Sequence, residues 1–90
     1  MNSRTTREFR ELFKHLPVEI RGQTRDAYRR FRSDPTYPGL RFKRVGRRRP
    51  VYSVRISREY RAVGLVQGSE VIWFWIGAHA EYERLLKQIS

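Results

Sequence analysis

The chain has 90 residues, of which 39% are hydrophobic and 13% aromatic, enough for one modest core and too few for two. Cysteine is absent and there are two histidines, which excludes disulfides and thiolate chemistry and gives at most a poor start to a zinc site. We therefore expect a single domain over residues 1–90, in a reducing compartment, with no metal and no cofactor. The N-terminal segment has no apolar signal core, and no apolar run approaches the roughly 18–20 residues that span a membrane, so we expect a cytoplasmic protein without a membrane partner.

The charge is strongly positive and is carried almost entirely by arginine. The formal net charge is +11, with 17 arginines against 3 lysines. Such an excess opposes a compact state by self-repulsion and is offset when a polyanion or an acidic protein binds. Arginine also offers a planar fork that suits phosphate and can stack on bases. The composition therefore favours a nucleic acid or a ribonucleoprotein as partner over a basic surface that serves only solubility.

Two amphipathic helices are predicted before residue 35. Thr5 and Glu8 have the spacing of a capping box, and the first helix, over residues 6–16, places four apolar side chains on one face. The second helix ends at Ser33 to Pro35 and carries a second apolar stripe. Its opposite face is a ridge of arginines that would contact phosphates, an acidic protein segment or solvent. The apolar stripes comprise Phe9, Leu12, Phe13 and Leu16, then Ile20, Thr24, Ala27, Tyr28 and Phe31, and the ridge comprises Arg21, Arg25, Arg29 and Arg32.

Four strands and a last helix are predicted in the remaining residues. The strands cover residues 40–45, 52–57, 60–66 and 71–77, and the helix covers residues 80–89. The resulting fold class is α+β, with an N-terminal helical hairpin packed on a four-stranded, mostly antiparallel sheet and a short C-terminal helix. The strand residues expected to form the core against the two helices are Tyr52, Val54, Ile56, Val63, Leu65, Ile72, Phe74 and Ile76.

The hairpin between the third and fourth strands is predicted to turn at Gly68 and Ser69. In that register Gly64 pairs with Trp73 and Leu65 with Ile72. The same register pairs Val63 with Phe74 and Ala62 with Trp75. Small residues then face the tryptophans, which indicates that the tryptophans serve packing more than base stacking.

The hairpin around Arg58 and Glu59 decides where Arg61 lies. A two-residue turn there would bury Arg61 on the apolar face with Ile56, unless its side chain reached water at the open end of the sheet. A bulge near Arg58 would instead place Arg61 beside Arg55 on the polar face, and we favour the bulge. The loop from Gly46 to Pro50 holds Arg47, Arg48 and Arg49, and it is either a phosphate grip or a solvated turn.

Two motifs in the second half of the chain resemble the RelE/ParE superfamily of bacterial toxins. They are Ser53-x-Arg55-Ile56 followed by Tyr60-Arg61, and Ile76-Gly77-x-His79-x-x-Tyr82. The resemblance covers nearly the whole chain and implies the RelE-like fold. It also implies one of two activities, because members of the RelE branch are ribosome-dependent mRNA endonucleases, whereas ParE-type members poison DNA gyrase.

The resemblance implies roles for particular residues. Arg61 and Arg55 would stabilise the charge that develops on the cleaved phosphate, and His79 would carry a proton because the reference pKa of histidine, about 6.5, suits that role. Tyr82 would stack a base or donate a proton. The residues expected to bind RNA are Lys43, Arg44, Arg47, Arg48, Arg49 and Arg58. The chain departs from some members in having no carboxylate in residues 40–50, so base catalysis would depend on His79 or on a cation of lowered pKa.

The resulting hypothesis is a toxin that cleaves mRNA on the ribosome through attack by the 2′-hydroxyl. Its expected partners are the ribosome, mRNA and a cognate antitoxin with an acidic or amphipathic segment. The alternatives are a toxin that inhibits DNA gyrase and cuts no bond, and a basic RNA-binding module without catalytic activity.

Overall fold

A computed structural model describes residues 1–89 and shows the predicted α+β fold, with one additional strand. In chain order the elements are β1 (Asn2–Thr5), α1 (Arg7–Lys14), α2 (Val18–Ser33), a 3₁₀ turn (Pro38–Leu40), β2 (Lys43–Arg44), β3 (Val51–Arg55), β4 (Tyr60–Gln67), β5 (Glu70–Ala78) and α3 (His79–Ile89). The strands form one sheet in the order β1-β5-β4-β3-β2. All neighbours are antiparallel except β1 and β5, which are parallel.

Strand β1 makes the sheet five-stranded, and the expectation of four strands is therefore wrong. Its residues are polar and show no apolar alternation, so their sequence gave no signal for a strand. The strand is held by its pairing with β5, in which Ser3 lies opposite Val71, and by an ion pair of 3.2 Å between Arg4 and Glu70. Because β1 includes Thr5, the first helix begins one residue later than predicted. Thr6 is its N-cap, and the Thr6 hydroxyl accepts the N–H of Phe9 at 3.1 Å.

One face of the sheet packs against the helical hairpin of α1 and α2. The buried residues there form what we call the hairpin-side core, in which Phe31 is 2% exposed and its ring meets Phe42 and Trp73 edge to face, at 4.9 Å and 5.4 Å between ring centroids. Such arrangements are favourable for aromatic rings beyond the area that they bury. The buried members of this core are Phe9, Phe31, Leu40, Val54, Ala62, Val71, Trp73 and Ile76.

The opposite face packs against α3. Its buried residues are Val51, Val63 and Tyr82, and Leu65 and Phe74 pack partly buried around them; we call this group the α3-side core. The expectation that Val63, Leu65 and Phe74 pack against the hairpin is therefore wrong. The sheet is covered on both faces, as the middle layer of a three-layer arrangement.

An irregularity between β4 and β5 explains part of this correction. The predicted pairs of Gly64 with Trp73 and of Leu65 with Ile72 are confirmed, but Val63 lies opposite Trp75 and Ala62 opposite Ile76. Phe74 is the additional residue, and a bulge of this kind reverses the faces of all residues beyond it. The two tryptophans consequently lie on opposite faces. The contact predicted at Gly64 is close, because a Cβ there would lie 2.7 Å from the Trp73 ring.

The bulge predicted near Arg58 is confirmed. The N–H groups of Ile56 and Ser57 both donate to the carbonyl of Tyr60, at 3.1 Å and 3.3 Å, so two residues of one strand oppose one of the other. Arg55 therefore lies directly opposite Arg61. The consequence is that two guanidinium groups share the same end of the sheet, on the face that α3 covers.

Candidate functional site

A cleft of about 210 Å³ lies between the ends of β2, β3 and β4 and the first turns of α3. Five of its lining residues carry basic or imidazole side chains, and they come from five different parts of the chain: the residue after the 3₁₀ turn, β2, β3, β4 and α3. We call it the cationic cleft. Its lining comprises Arg41, Lys43, Val45, Ser53, Arg55, Arg61, His79, Tyr82, Glu83 and Leu86. It thus brings together all four residues predicted to be catalytic and one of those predicted to bind RNA.

Arg61 is fixed in this cleft by the loop that precedes it. Its Nη1 donates to the carbonyls of Ser57 at 2.7 Å, Tyr60 at 3.0 Å and Arg58 at 3.3 Å. All three bonds use the same nitrogen, so within residues 1–89 the Nη2 and Nε donors are the ones left for a ligand. A guanidinium held at one nitrogen and open at the other two matches the two-pronged geometry with which arginine binds phosphate.

The electrostatic environment of Arg61 is unfavourable for a cation. Burial lowers the pKa of Arg61, the neighbouring Arg55 lowers it further, and Arg41 acts in the same direction, whereas Tyr82 and Glu59 oppose these effects. Across the part of the chain that the structure describes, neither Arg55 nor Arg61 has a carboxylate within ion-pair distance. The repulsion between these arginines would be relieved by an anion in the cleft.

His79 is the first residue of α3 and stands at the rim of the cleft. Its backbone N–H donates to the carbonyl of Glu59 at 2.7 Å, which ties the start of α3 to the loop that also holds Arg61. Its imidazole Nε2 lies 3.3 Å from Oε1 of Glu83, one helical turn further on. The side chain is 47% exposed, so the ring can reach a bound ligand while the carboxylate orients it.

Tyr82 lies beneath the cleft floor and is 5% exposed. Its hydroxyl forms a buried hydrogen bond of 3.0 Å with the hydroxyl of Ser53, and its ring packs near Trp75. Little of the ring surface is open to a base. This geometry favours a role in anchoring α3 to β3 over the predicted stacking role.

The other residues predicted to bind RNA lie outside the cleft lining. Arg44 donates from Nε to the carbonyl of Gly46 at 2.9 Å and from Nη2 to the carbonyl of Arg47 at 3.3 Å, so it braces the loop that follows it. Arg58 is exposed on the β3–β4 loop. The three adjacent arginines of the β2–β3 loop, Arg47, Arg48 and Arg49, are exposed as well.

Three polar residues of the cleft were not predicted as site residues from the sequence. Glu83 could have been found, because it follows His79 by four residues and such pairs share a helix face. Ser53 could have been inferred from its place opposite Lys43 in the sheet. Arg41 gave no signal, since its backbone has a φ of 48°, a left-handed conformation that arginine rarely adopts.

Two kinds of feature are absent from residues 1–89. No group of three or more histidine, cysteine, aspartate or glutamate side chains there could hold a metal ion. In the same residues, none of the helices has both the length and the apolar character needed to cross a membrane.

Comparison with known proteins shows the family to which the sequence belongs. The family model of the ParE-like toxin domain matches residues 18–84, a region that includes every residue of the cationic cleft except Leu86. No curated protein matches the sequence closely enough to count as a relative.

Solved structures share the fold at low sequence identity. The YoeB/ParE toxin from Agrobacterium tumefaciens is 18% identical, with a TM-score of 0.69 over 88% of this chain and 99% of that one. A chain of the RelB-RelE antitoxin-toxin complex from Methanococcus jannaschii is 17% identical, with a TM-score of 0.71 over 91% and 96%. YafQ from E. coli is 7% identical, with a TM-score of 0.65 over 90% and 96%. At these identities the structures establish the common fold, and the family match extends the assignment beyond it: the chain belongs to the ParE-like toxin family, within the RelE/ParE superfamily of toxins.

Proposed function

We propose that the protein is a ribosome-dependent mRNA endonuclease that blocks translation by cleaving the message through its own 2′-hydroxyl. The single observation that carries the proposal is the convergence of Arg55, Arg61 and His79 on one cleft, with Lys43 at its edge. Cleavage of RNA needs a group that removes the 2′ proton and cations that stabilise the phosphorane as its charge develops. A protein that only binds RNA needs the cations but has no use for an imidazole held by a carboxylate.

In the proposed reaction the His79 imidazole takes the proton from the ribose 2′-hydroxyl, and the 2′ oxygen attacks the adjacent phosphorus. Glu83 stabilises the imidazolium that forms, since it already lies 3.3 Å from the ring nitrogen. The bond between phosphorus and the 5′ oxygen of the next nucleotide breaks, and that oxygen takes a proton from solvent. The products are a 2′,3′-cyclic phosphate and a 5′-hydroxyl.

Arg61 and Arg55 act on the charge of the phosphate in this proposal. The free Nη2 and Nε donors of Arg61 bind the non-bridging oxygens, and the loop carbonyls prevent the side chain from moving as charge develops. Preorganised donors of this kind are the largest single source of rate acceleration in many enzymes. Tyr82 supports the site by fixing α3, and with it His79, against β3 through the bond to Ser53.

The exposed arginines outside the cleft serve binding. Arg44, Arg47, Arg48, Arg49 and Arg58 would contact the backbone of mRNA and ribosomal RNA, an interaction that weakens as salt rises. In this proposal the leaving oxygen takes its proton from solvent, so efficient cleavage depends on the ribosome to orient the message.

An antitoxin is the proposed regulator. One of the solved structures with this fold is an antitoxin-toxin complex, and the net charge of +11 makes an acidic or amphipathic protein segment the natural partner. Such a segment would neutralise the basic surface that the ribosome would otherwise contact.

The proposal is tested by inducing the protein in bacterial cells and mapping the 5′ ends of a translated reporter message by primer extension. We expect cuts that fall at the same position within codons of the reading frame, together with arrest of protein synthesis. The cuts should disappear when the start codon is removed, because the message is then not translated. Arg61→Ala should abolish the cuts, whereas Arg84→Ala, an exposed arginine of α3 outside the cleft, should leave them intact. Intact messages combined with arrested replication would overturn the proposal and favour inhibition of DNA gyrase.

A further inference from the structure

A second cleft adjoins the cationic cleft on the other side of Arg55. It has a volume of about 300 Å³ and lies between α2 and the segment that links α2 to β2. We call it the linker cleft. Arg55 lines both clefts, so a ligand that contacts Arg55 in one cleft lies next to the other. The lining of the linker cleft comprises Gln23, Asp26, Ala27, Arg30, Tyr37, Gly39, Leu40, Arg55, Ile56 and Ser57.

The linker cleft contains a planar pair of side chains. The guanidinium carbon of Arg30 lies 4.1 Å from the centroid of the Tyr37 ring, which is the geometry of a cation–π stack. Tyr37 is nonetheless 40% exposed, so the pair is open to the surface. The ring packs directly against Gly39: a Cβ at residue 39 would lie 2.8 Å from the edge of the ring, so a larger residue there would displace Tyr37. Aromatic rings and guanidinium groups are the side chains on which proteins stack RNA bases.

Polar groups of α2 stand beside this pair. Gln23 offers an amide that can donate and accept, and Asp26 offers a carboxylate that already pairs with Arg29. These are side chains that read the hydrogen-bonding edges of bases. The cleft is thus suited to a base, and the neighbouring cationic cleft to a phosphate.

The backbone between the two clefts is held in an unfavourable conformation. Arg41 follows the 3₁₀ turn with φ 48° and ψ 43°, and its N–H donates to the carbonyl of Pro38 at 3.2 Å. A left-handed arginine is disfavoured by contact between its Cβ and the backbone, and such residues cluster at functional sites. Gly39 and Leu40 line the linker cleft, and the next residue, Arg41, lines the cationic cleft.

We propose that the linker cleft binds a nucleobase of the RNA next to the cleaved phosphate, with the base stacked on the Arg30–Tyr37 pair and its edge read by Gln23 and Asp26. The inference rests on the proposed function and extends it, because the linker cleft then determines which codons are cut. Phosphate contacts in the cationic cleft position the RNA without distinguishing its sequence, whereas contacts to a base edge do distinguish it.

The first test compares cleavage at every codon across a set of translated messages by sequencing their 5′ ends. Tyr37→Ala should reduce cleavage at the preferred codons about 10-fold, as expected for the loss of one stacked base, and should flatten the differences between codons. Tyr37→Phe keeps the ring and should retain the codon preference.

Arg30→Ala should reduce the codon preference in the same direction as Tyr37→Ala. Its matched control is Arg32→Ala, which removes a guanidinium that lies over Tyr28 on the same helix but outside the linker cleft. An unchanged codon preference in Tyr37→Ala, or an equal fall at all codons, would overturn the inference while leaving the proposed endonuclease intact.

The second test needs no cleavage and therefore separates the two proposals. A short single-stranded RNA and the same RNA with one abasic position are titrated against the purified protein, with the ring signals of Tyr37 followed by NMR. The wild-type protein should bind the complete RNA about 10-fold more tightly, and Tyr37→Ala or Arg30→Ala should remove that difference. Equal affinity of the wild-type protein for both RNAs would refute the base site, whatever the outcome of the cleavage assay.

Discussion

The two faces of the sheet are covered to very different extents. Helices α1 and α2, of 8 and 16 residues, close the face that holds the hairpin-side core, where eight residues are buried. Helix α3, of 11 residues, covers the other face, where the buried group is Val51, Val63 and Tyr82. At the end of that face where α3 begins, the sheet carries Arg55 and Arg61 instead of apolar side chains.

Because of this difference, we expect one face of the sheet to stabilise the fold and the other to carry the proposed chemistry. Buried apolar area is the main favourable term in folding, so the hairpin side is expected to contribute most of the stability. The α3 side places two like charges opposite each other in the sheet, which opposes folding by a modest amount. The arrangement is understandable if the charges bind an anion. Substitutions on the two faces should therefore have separable effects on stability and on cleavage.

The largest expected effect is the loss of stability on truncating Phe31. Its side chain is 2% exposed and contacts two other aromatic rings, so Phe31→Ala should lower the free energy of unfolding by about 3–5 kcal/mol. The measurement is chemical denaturation followed by circular dichroism. Val18→Ala is the control, because Val18 is 63% exposed and should change stability by less than about 0.5 kcal/mol. A loss below about 1 kcal/mol for Phe31→Ala would show that the hairpin side does not dominate folding.

The next effect concerns the rate of cleavage on the other face. Arg61→Ala removes the fixed guanidinium and should reduce cleavage about 100- to 1,000-fold, the usual cost of losing one preorganised donor to a developing charge. Arg61→Lys should recover little, because an ammonium lacks the planar two-pronged geometry with which a guanidinium binds phosphate. Single-turnover cleavage on ribosomes that carry a defined message measures both rates. The denaturation midpoint of Arg61→Ala should stay near that of the wild-type protein, since repulsion with Arg55 is removed together with the loop bonds.

The position of Arg61 illustrates how much of the site could be predicted from the sequence. The cost of burying an unpaired guanidinium was sufficient to favour a bulge in the β3–β4 hairpin, and that bulge placed Arg61 opposite Arg55. The amphipathic helices could be predicted for a similar reason, because the apolar periodicity of Phe9 and Phe31 reports directly on burial. Such inferences succeed where one contribution to the free energy of folding, such as the cost of burying a charge or the gain from burying apolar area, is much larger than the others.

Other features could not be predicted because no single term dominates them. Strand β1 is polar and is held by its partner β5, so its own residues carry no strand pattern. The bulge at Phe74 exchanges one apolar residue for another across the sheet, and either register buries the same kind of side chain. Arg41, which follows the 3₁₀ turn, has a left-handed backbone that its residue type does not predict, because arginine rarely adopts it. Arg41 nonetheless lines the cationic cleft.

The third prediction concerns proton transfer at the rim of the cationic cleft. His79→Gln keeps the size and polarity of the side chain and should reduce cleavage about 100-fold, as expected when a general base is lost. Glu83→Gln keeps the imidazole and should reduce cleavage only a few-fold, since the carboxylate acts through its contact with His79. Both rates come from the single-turnover assay used for Arg61. A rate for His79→Gln equal to that of the wild-type protein would remove His79 from the proposed chemistry and assign the base to another group.

The smallest expected effect is that of Tyr82→Phe, which tests whether the residue under the cleft belongs to the structure or to the reaction. The substitution removes the hydroxyl that meets Ser53 in a buried bond of 3.0 Å and leaves the Ser53 hydroxyl without its partner. Stability should fall by about 1–2 kcal/mol, and Ser53→Ala combined with Tyr82→Phe should recover much of that loss, because removing both partners of a buried hydrogen bond costs less than removing one. Cleavage by Tyr82→Phe should stay within a few-fold of the wild-type rate when equal amounts of folded protein are compared. A 100-fold fall in cleavage that the double variant does not reverse would show instead that the Tyr82 hydroxyl donates a proton in the reaction. The buried face of α3 would then contribute a catalytic residue in addition to its packing residues.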